Sequence, residues 1–294
     1  ALFVPLLFFG QQMSATRMGI PVNYQAVIPS AVIYGMMAVV MVWLGIGSVM
    51  ARRWARTLML IFSGSWLVMG LFSVVMMAIL VPQLMDGLRE QQPGIPGAAE
   101  MVVIGIMLLV TGVIFIVLPG VWSLFYRSPH VKATCEARDP AERWTDRCPA
   151  PVLTISIWLL LGVPMMLSVP VAYHGVMPFF GVFLTGLKGT LVYLLLAGVW
   201  TYAAWAVYRL DPKGWWVTLI SFTLFGASAA VTYSQHGLDE MYVLMGFPEQ
   251  QVEQLRHFGA LSRQTMIVWS LWLEALLVVS LLYVRKYFFR GDSQ

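Results

Sequence analysis

Apolar runs of about twenty residues recur along this chain, at 28–50, 58–81, 101–125, 152–172, 179–208, 215–235 and 265–284. At about 1.5 Å of rise per residue, a helix of that length crosses a hydrocarbon core of roughly 30 Å. Composition agrees: 59% of residues are hydrophobic and 11% charged, against roughly 25% charged in soluble domains. Period-2 strands separated by turns are missing, which speaks against a β-barrel. The expected fold is therefore all-α, a polytopic transmembrane helix bundle with seven complete spans.

An eighth, partial span is expected at the start. Residues 1–10, ALFVPLLFFG, are apolar but cover only about 15 Å as a helix. The sequence also carries an internal rhythm of span, basic turn, span, outer connector, span. Trp54-Ala-Arg-Thr57-Leu58 lies against Trp215-Trp-Val-Thr218-Leu219 at an offset of 161, and Glu100-Met-Val-Val103 against Thr265-Met-Ile-Val268 at 165. Val4-Pro5 lies against Val163-Pro164 at 159. These spacings predict a parallel 4+4 repeat, with residues 1–10 as the second part of a first helix completed by a native N-terminal extension. The alternative is a seven-helix protein with an interfacial N-terminal segment.

Lys/Arg placement sets the orientation. Arg52, Arg53, Arg56, Arg127, Lys132, Arg138, Arg143, Arg147, Arg209, Lys213, Arg285, Lys286 and Arg290 fall on one side. Only Arg17, Arg89, Arg256 and Arg263 fall on the other. The positive-inside rule makes the first side cytoplasmic, and with it the C-terminus. A net charge of +4 then reports cytoplasmic loops rather than nucleic-acid binding. The densest charged stretch, 126–151, divides the chain into a first membrane half (1–125), a cytoplasmic loop (126–151) and a second membrane half (152–294).

Two ionisable residues fall inside predicted spans: Lys188 in FLTGLKGTLVY and Glu274 in WSLWLEALLVVS. Buried charges in a bilayer are costly and are functional candidates by default. Counted from Pro178 and Arg263, both lie roughly 15 Å below the outer surface. That makes them a candidate intramembrane ion pair, either a structural lock or part of a proton or ion pathway. The four histidines (His130, His174, His236, His257) fall in loops or at span ends, so none is placed to hold a mid-membrane haem. His130, Cys135 and Cys148 could supply three zinc ligands, but the C-x12-C spacing lacks a C-x2-C knuckle. Reduced cysteines in a folded loop are the expectation, with no metal. In the outer connector, HGLDEMY gathers His236, Asp239 and Glu240 as an outlying cation candidate. Arg138, Arg143, Trp144 and Arg147 make the loop a candidate docking surface.

The basic turn ARRWARTL (51–58) and the loop SPHVKATCEARDPAERWTDRCP (128–149) resemble segments of uncharacterised bacterial polytopic membrane proteins. The resemblance covers the turn and loop only. It implies a bacterial inner membrane and brings no assigned activity. H-E-x-x-H, G-x-S-x-G and P-loop motifs are missing from the sequence, which weighs against an enzyme without deciding it. The expected function is a non-catalytic accessory or scaffold subunit of a membrane complex. Its partners would be other subunits and bound lipid, with no cofactor. The alternative is a small proton- or ion-coupled transporter built around Glu274.

Overall fold

The structure, a computed structural model, describes residues 24–91, 97–249, 252, 253 and 263–289. The apolar runs become helices. In order they are α1 Tyr24–Val49, α2 Arg53–Gln91, and α3 Gly97–Gly112, which continues through a π-helical turn (Val113–Val117) into α4 Leu118–Arg127. Then come α5 Pro129–Arg138, a 3₁₀ turn Trp144–Asp146, and α6 Ala150–Ala172. A hairpin of β1 Met177–Phe179 and β2 Val182–Leu184 precedes α7 Gly186–Tyr208, α8 Pro212–Gln235, α9 Leu238–Leu244 and α10 Arg263–Phe288. Among the described residues, five stretches are long and apolar enough to cross a membrane: Arg53–Val75, Ile104–Arg127, Ala150–Ala172, Gly186–Tyr208 and Pro212–Gln235. The expected partial span at 1–10 lies outside the described residues.

The chain divides into two compact units. The described residues of the first are 43–91 and 97–154. In it α2 packs along α4 and the π-helical turn. Gly70 lets the Phe115 carbonyl of that turn approach so closely that a Cβ would collide with it. Around this contact Trp66 packs edge-on against Phe62, Phe115 and Trp122, at 5.3, 6.3 and 5.8 Å. Ser123 donates to Ser63 at 2.9 Å. A hydroxyl pair of this kind satisfies polar groups that lipid cannot.

The described residues of the second unit are 24–42, 155–249, 252, 253 and 263–289. Here α8 packs against both α7 and α10. Trp200 of α7 fits over Gly162 and stacks on Phe222 at 4.4 Å. Ser156 of α6 donates to the Ala204 carbonyl at 2.8 Å, and Trp215 Nε1 donates to the Leu281 carbonyl at 2.8 Å.

One sequence expectation fails. The run 179–208 does not form a single tilted span, because residues 177–184 leave the membrane helix pattern and pair as a hairpin. Met177 pairs with Leu184, Pro178 with Phe183 and Phe179 with Val182. The two-residue turn Phe180-Gly181 has positive φ at both positions, 42° and 92°, as a type I′ turn requires. Its backbone N–H groups are satisfied from α8: Phe180 N–H donates to Ser228 Oγ and Gly181 N–H to Thr232 Oγ1, both at 3.0 Å. Hydrophobicity alone could not separate this segment from the helix that follows it.

The turns before α2 and α8 are closed in the same way. Ala51 (φ 51°) and Leu210 (φ 59°) are left-handed. In each case the next residue's N–H reaches back five positions, Arg52 to the Gly47 carbonyl and Asp211 to the Ala206 carbonyl, at 2.9 and 3.0 Å. Both are Schellman closures. Their separation, 210 − 51 = 159, matches an offset in the sequence repeat.

Candidate functional site

Lys188 and Glu274 are not brought together. Because the hairpin consumes residues 177–184, Lys188 lies in the first turn of α7 and is exposed. It sits at the hairpin end of its helix, not a half-span deep. Glu274 lies near the middle of α10. Helices α7 and α10 both pack on α8, and no ion pair joins the two residues among those described. Glu274 instead faces α8. Thr223 Oγ1 donates to Glu274 Oε1 at 3.1 Å, and Gly226 leaves room for the second oxygen, since a Cβ there would meet Oε2 at 2.8 Å. Thr223 is exposed and Glu274 half-buried. A carboxylate can accept about four hydrogen bonds, and Thr223 is the one donor to it among the described residues.

The end of α8 carries a cluster of which sequence reading picked out His236 and Glu240 but not Ser228, Thr232 or the hairpin they meet. Ser228, Thr232 and His236 recur at i, i+4 and i+8 and all meet the hairpin. Ser228 Oγ also donates to the Pro178 carbonyl at 3.2 Å. His236 Nε2 lies 3.0 Å from the Gly181 carbonyl, and Nδ1 lies 2.8 Å from Glu240 Oε2. Both partners are acceptors, so making both bonds at once needs an N–H on each ring nitrogen. This polar stripe on an apolar helix was the legible signal.

The charged stretch 126–151 is folded against the basic turn of its own unit. Asp139, 2% exposed, accepts a forked pair from Arg143, with Nη2 at 2.7 Å and Nε at 3.1 and 3.2 Å. Arg52 Nη1 stands 3.9 Å from the same carboxylate. The Arg143 hydrogen bond, outweighing a desolvation cost, holds the Asp139 pKa below the usual carboxylate value, with help from the Arg53 backbone N–H at the start of α2 and from Arg52. Arg53 reaches Asp146 at 3.5 Å and Glu136 at 3.8 Å. Arg56 Nε donates to the Tyr126 carbonyl at 3.0 Å, and Ser48 bonds the Tyr126 hydroxyl. Of the candidate docking residues, Arg143 is committed to Asp139. Arg138, Trp144 and Arg147 are exposed.

Cys135 and Cys148 are both buried and unbridged. Burial pushes the Cys148 thiol up to about 11. It also raises Cys135, where Arg56 pulls the other way. Among the described residues no three His, Cys, Asp or Glu side chains are grouped to hold a metal. His130, Cys135 and Cys148 do not form such a group, and neither do His236, Asp239 and Glu240.

Long apolar helices define a class, the α-helical membrane protein. Comparison with protein-family models, curated proteins and solved structures finds no match that narrows it further.

Proposed function

We propose that the chain is a non-catalytic accessory or scaffold subunit of a bacterial inner-membrane complex. The observation that carries this reading is the state of Glu274. It is half-buried in a membrane helix, with a single threonine hydroxyl as its donor among the described residues. An incompletely satisfied carboxylate at that depth is expensive, and a basic or hydroxyl-bearing group on a partner helix would complete it. Exposed Leu271 lies one turn from Glu274 on α10, and exposed Ile220 lies one turn from Thr223 on α8. An apolar helix could pack over them.

The transporter reading is favoured less. A cavity of about 380 Å³ in the second unit is lined almost wholly by apolar side chains such as Val192, Leu196, Val217 and Phe225, and Glu274 does not line it. The matching turns before α2 and α8 support the parallel 4+4 arrangement with seven complete spans and one partial. The clustering of Arg209, Lys213, Arg285 and Lys286 at one end of α7, α8 and α10 supports a cytoplasmic C-terminus.

Purification in mild detergent followed by mass measurement tests the proposal. The expected result is a stoichiometric assembly that dissociates on Glu274→Leu. An isolated wild-type monomer, or a Glu274→Gln variant that folds but loses ion flux in proteoliposomes, would overturn it.

A further inference from the structure

A second cavity, about 280 Å³, lies in the first unit where the basic turn meets α4 and α5. Ser48, Arg52, Arg56, Tyr126, His130 and Thr134 supply its polar wall, and no acidic residue lines it. The arginines around it divide in two. Arg52, Arg53 and Arg143 each face a carboxylate within 4 Å. Arg56 does not. Its Nε is spent on the Tyr126 carbonyl, which fixes the guanidinium plane, and its two terminal nitrogens have no protein partner among the described residues. The His130 ring has none either. The acidic side chains of the adjoining loop are paired with other bases: Asp139 is forked by Arg143, and Glu136 is shared by Arg53 and Lys132.

Position adds a second constraint. The apolar spans Arg53–Val75 and Ile104–Arg127 begin and end at this cavity, so it sits where hydrocarbon gives way to the headgroup layer. Its volume is below the roughly 300–1,000 Å³ of pockets for drug-sized ligands, which suits a small anion. A planar guanidinium with both terminal nitrogens unpaired suits two oxygens of one phosphate. We propose that this cavity binds a phosphate group, with Arg56 as its principal ligand and Arg52 and His130 completing the shell. The site is independent of the subunit reading, since it shares no residue with Glu274 or its helix face.

The test uses the purified full chain in an uncharged detergent. Probes are short-chain phosphatidylglycerol, the matching diacylglycerol and inorganic phosphate. Binding of phosphatidylglycerol is expected to weaken about tenfold or more in Arg56→Gln, the loss that follows from a charge-assisted hydrogen bond, and less in His130→Gln. Arg209→Gln, a basic residue of the other unit that stacks on Trp205 at 4.7 Å, should leave it unchanged. His130→Gln leaves the Tyr126 contact intact, so it reports on the site even if Arg56→Gln folds poorly. Variant-sensitive binding of inorganic phosphate as well identifies a phosphate site open to soluble anions. Variant-sensitive binding of the lipid alone identifies a headgroup site. Binding of diacylglycerol as tight as that of phosphatidylglycerol, or phosphate binding unmoved by either variant, would overturn the proposal.

Discussion

Asp139 and Glu274 are the same chemistry placed in opposite circumstances. Asp139 lies outside the membrane spans and is almost fully enclosed, with Arg143, Arg52 and the start of α2 all directed at it. Glu274 lies near the middle of α10, half-buried, with the Thr223 hydroxyl as its one donor among the described residues. Among those residues the first carboxylate is held by several donors and the second by one. At a water-facing surface, basic residues are cheap to place, and an i,i+4 arginine can be supplied from the same short segment. Inside a bilayer a compensating cation costs as much as the carboxylate it neutralises, and on the proposed subunit reading a helix from elsewhere would complete Glu274.

The strongest way to break this comparison is to remove Asp139. Asp139→Ala strands Arg143 and Arg52 and exposes the start of α2, and should give the largest loss of thermal stability of any variant considered. A pH titration sharpens the point. The folded pKa is depressed, so the contribution is present above the unfolded carboxylate value near 4. It is lost as pH falls through the lower, folded value. Wild type should lose melting temperature across that acid window and Asp139→Asn should lose less, measured by fluorescence-detected unfolding in detergent. Equal acid slopes for the two would show that Asp139 is not paired in the folded protein.

Next in size comes the close backbone packing at the start of α7 in the second unit. Gly189 lies so close to the Gly175 carbonyl that a Cβ would collide with backbone. Gly189→Ala should therefore destabilise by about 1–3 kcal/mol, as overpacking does. Gly198→Ala, with open space around it, should be near neutral. Equal effects would mean that Gly189 does not pack against the Gly175 backbone as described.

The buried thiols give a kinetic reading of the charged loop. With Cys148 raised to about 11 by burial, very little thiolate exists near neutral pH, and thiolate is the reactive form. Maleimide labelling of the folded chain at neutral pH should be slow at Cys148 and accelerate on unfolding. The linkage has the opposite sign to that of Asp139. A raised thiol pKa contributes stability fully present below the unfolded value, near 8.5–9, and lost as pH rises towards about 11. Fast labelling of native protein would contradict burial of the loop.

How much of this was legible follows from what each signal depends on. Helix positions and the location of Glu274 were readable because span length and hydrophobicity are local properties of the chain. Lys188 was misplaced because depth was counted from Pro178. The hairpin's true signal was split between Gly181 and the Ser228/Thr232/His236 stripe some fifty residues away, and only the fold joins them. The pairing of Asp139 with Arg143 lies four residues apart and could have been read from sequence. Its approach to Arg52, across 87 positions (139 − 52), could not.

The smallest predicted effect tests Glu274 most directly. Thr223→Val removes the donor to Glu274 while keeping volume. Interhelical hydrogen bonds in membranes are worth about 0.6 kcal/mol on average, so the isolated chain should lose about that much. In a double-mutant cycle with Glu274→Gln, the coupling should be similarly small, because a single neutral donor holds the carboxylate. The corresponding cycle on Asp139 and Arg143 should give a clearly larger coupling, since a forked charge-assisted pair is stronger than one hydroxyl bond. Glu274→Leu should leave the isolated chain as stable as wild type or more so, because it removes a costly group whose one bond is weak. A strong Thr223–Glu274 coupling, or a Glu274→Leu chain that collapses alone, would mean that α8 and α10 already complete the carboxylate. The case for a partner helix at that face would then fall, while the charged cap of the first unit would stand unchanged.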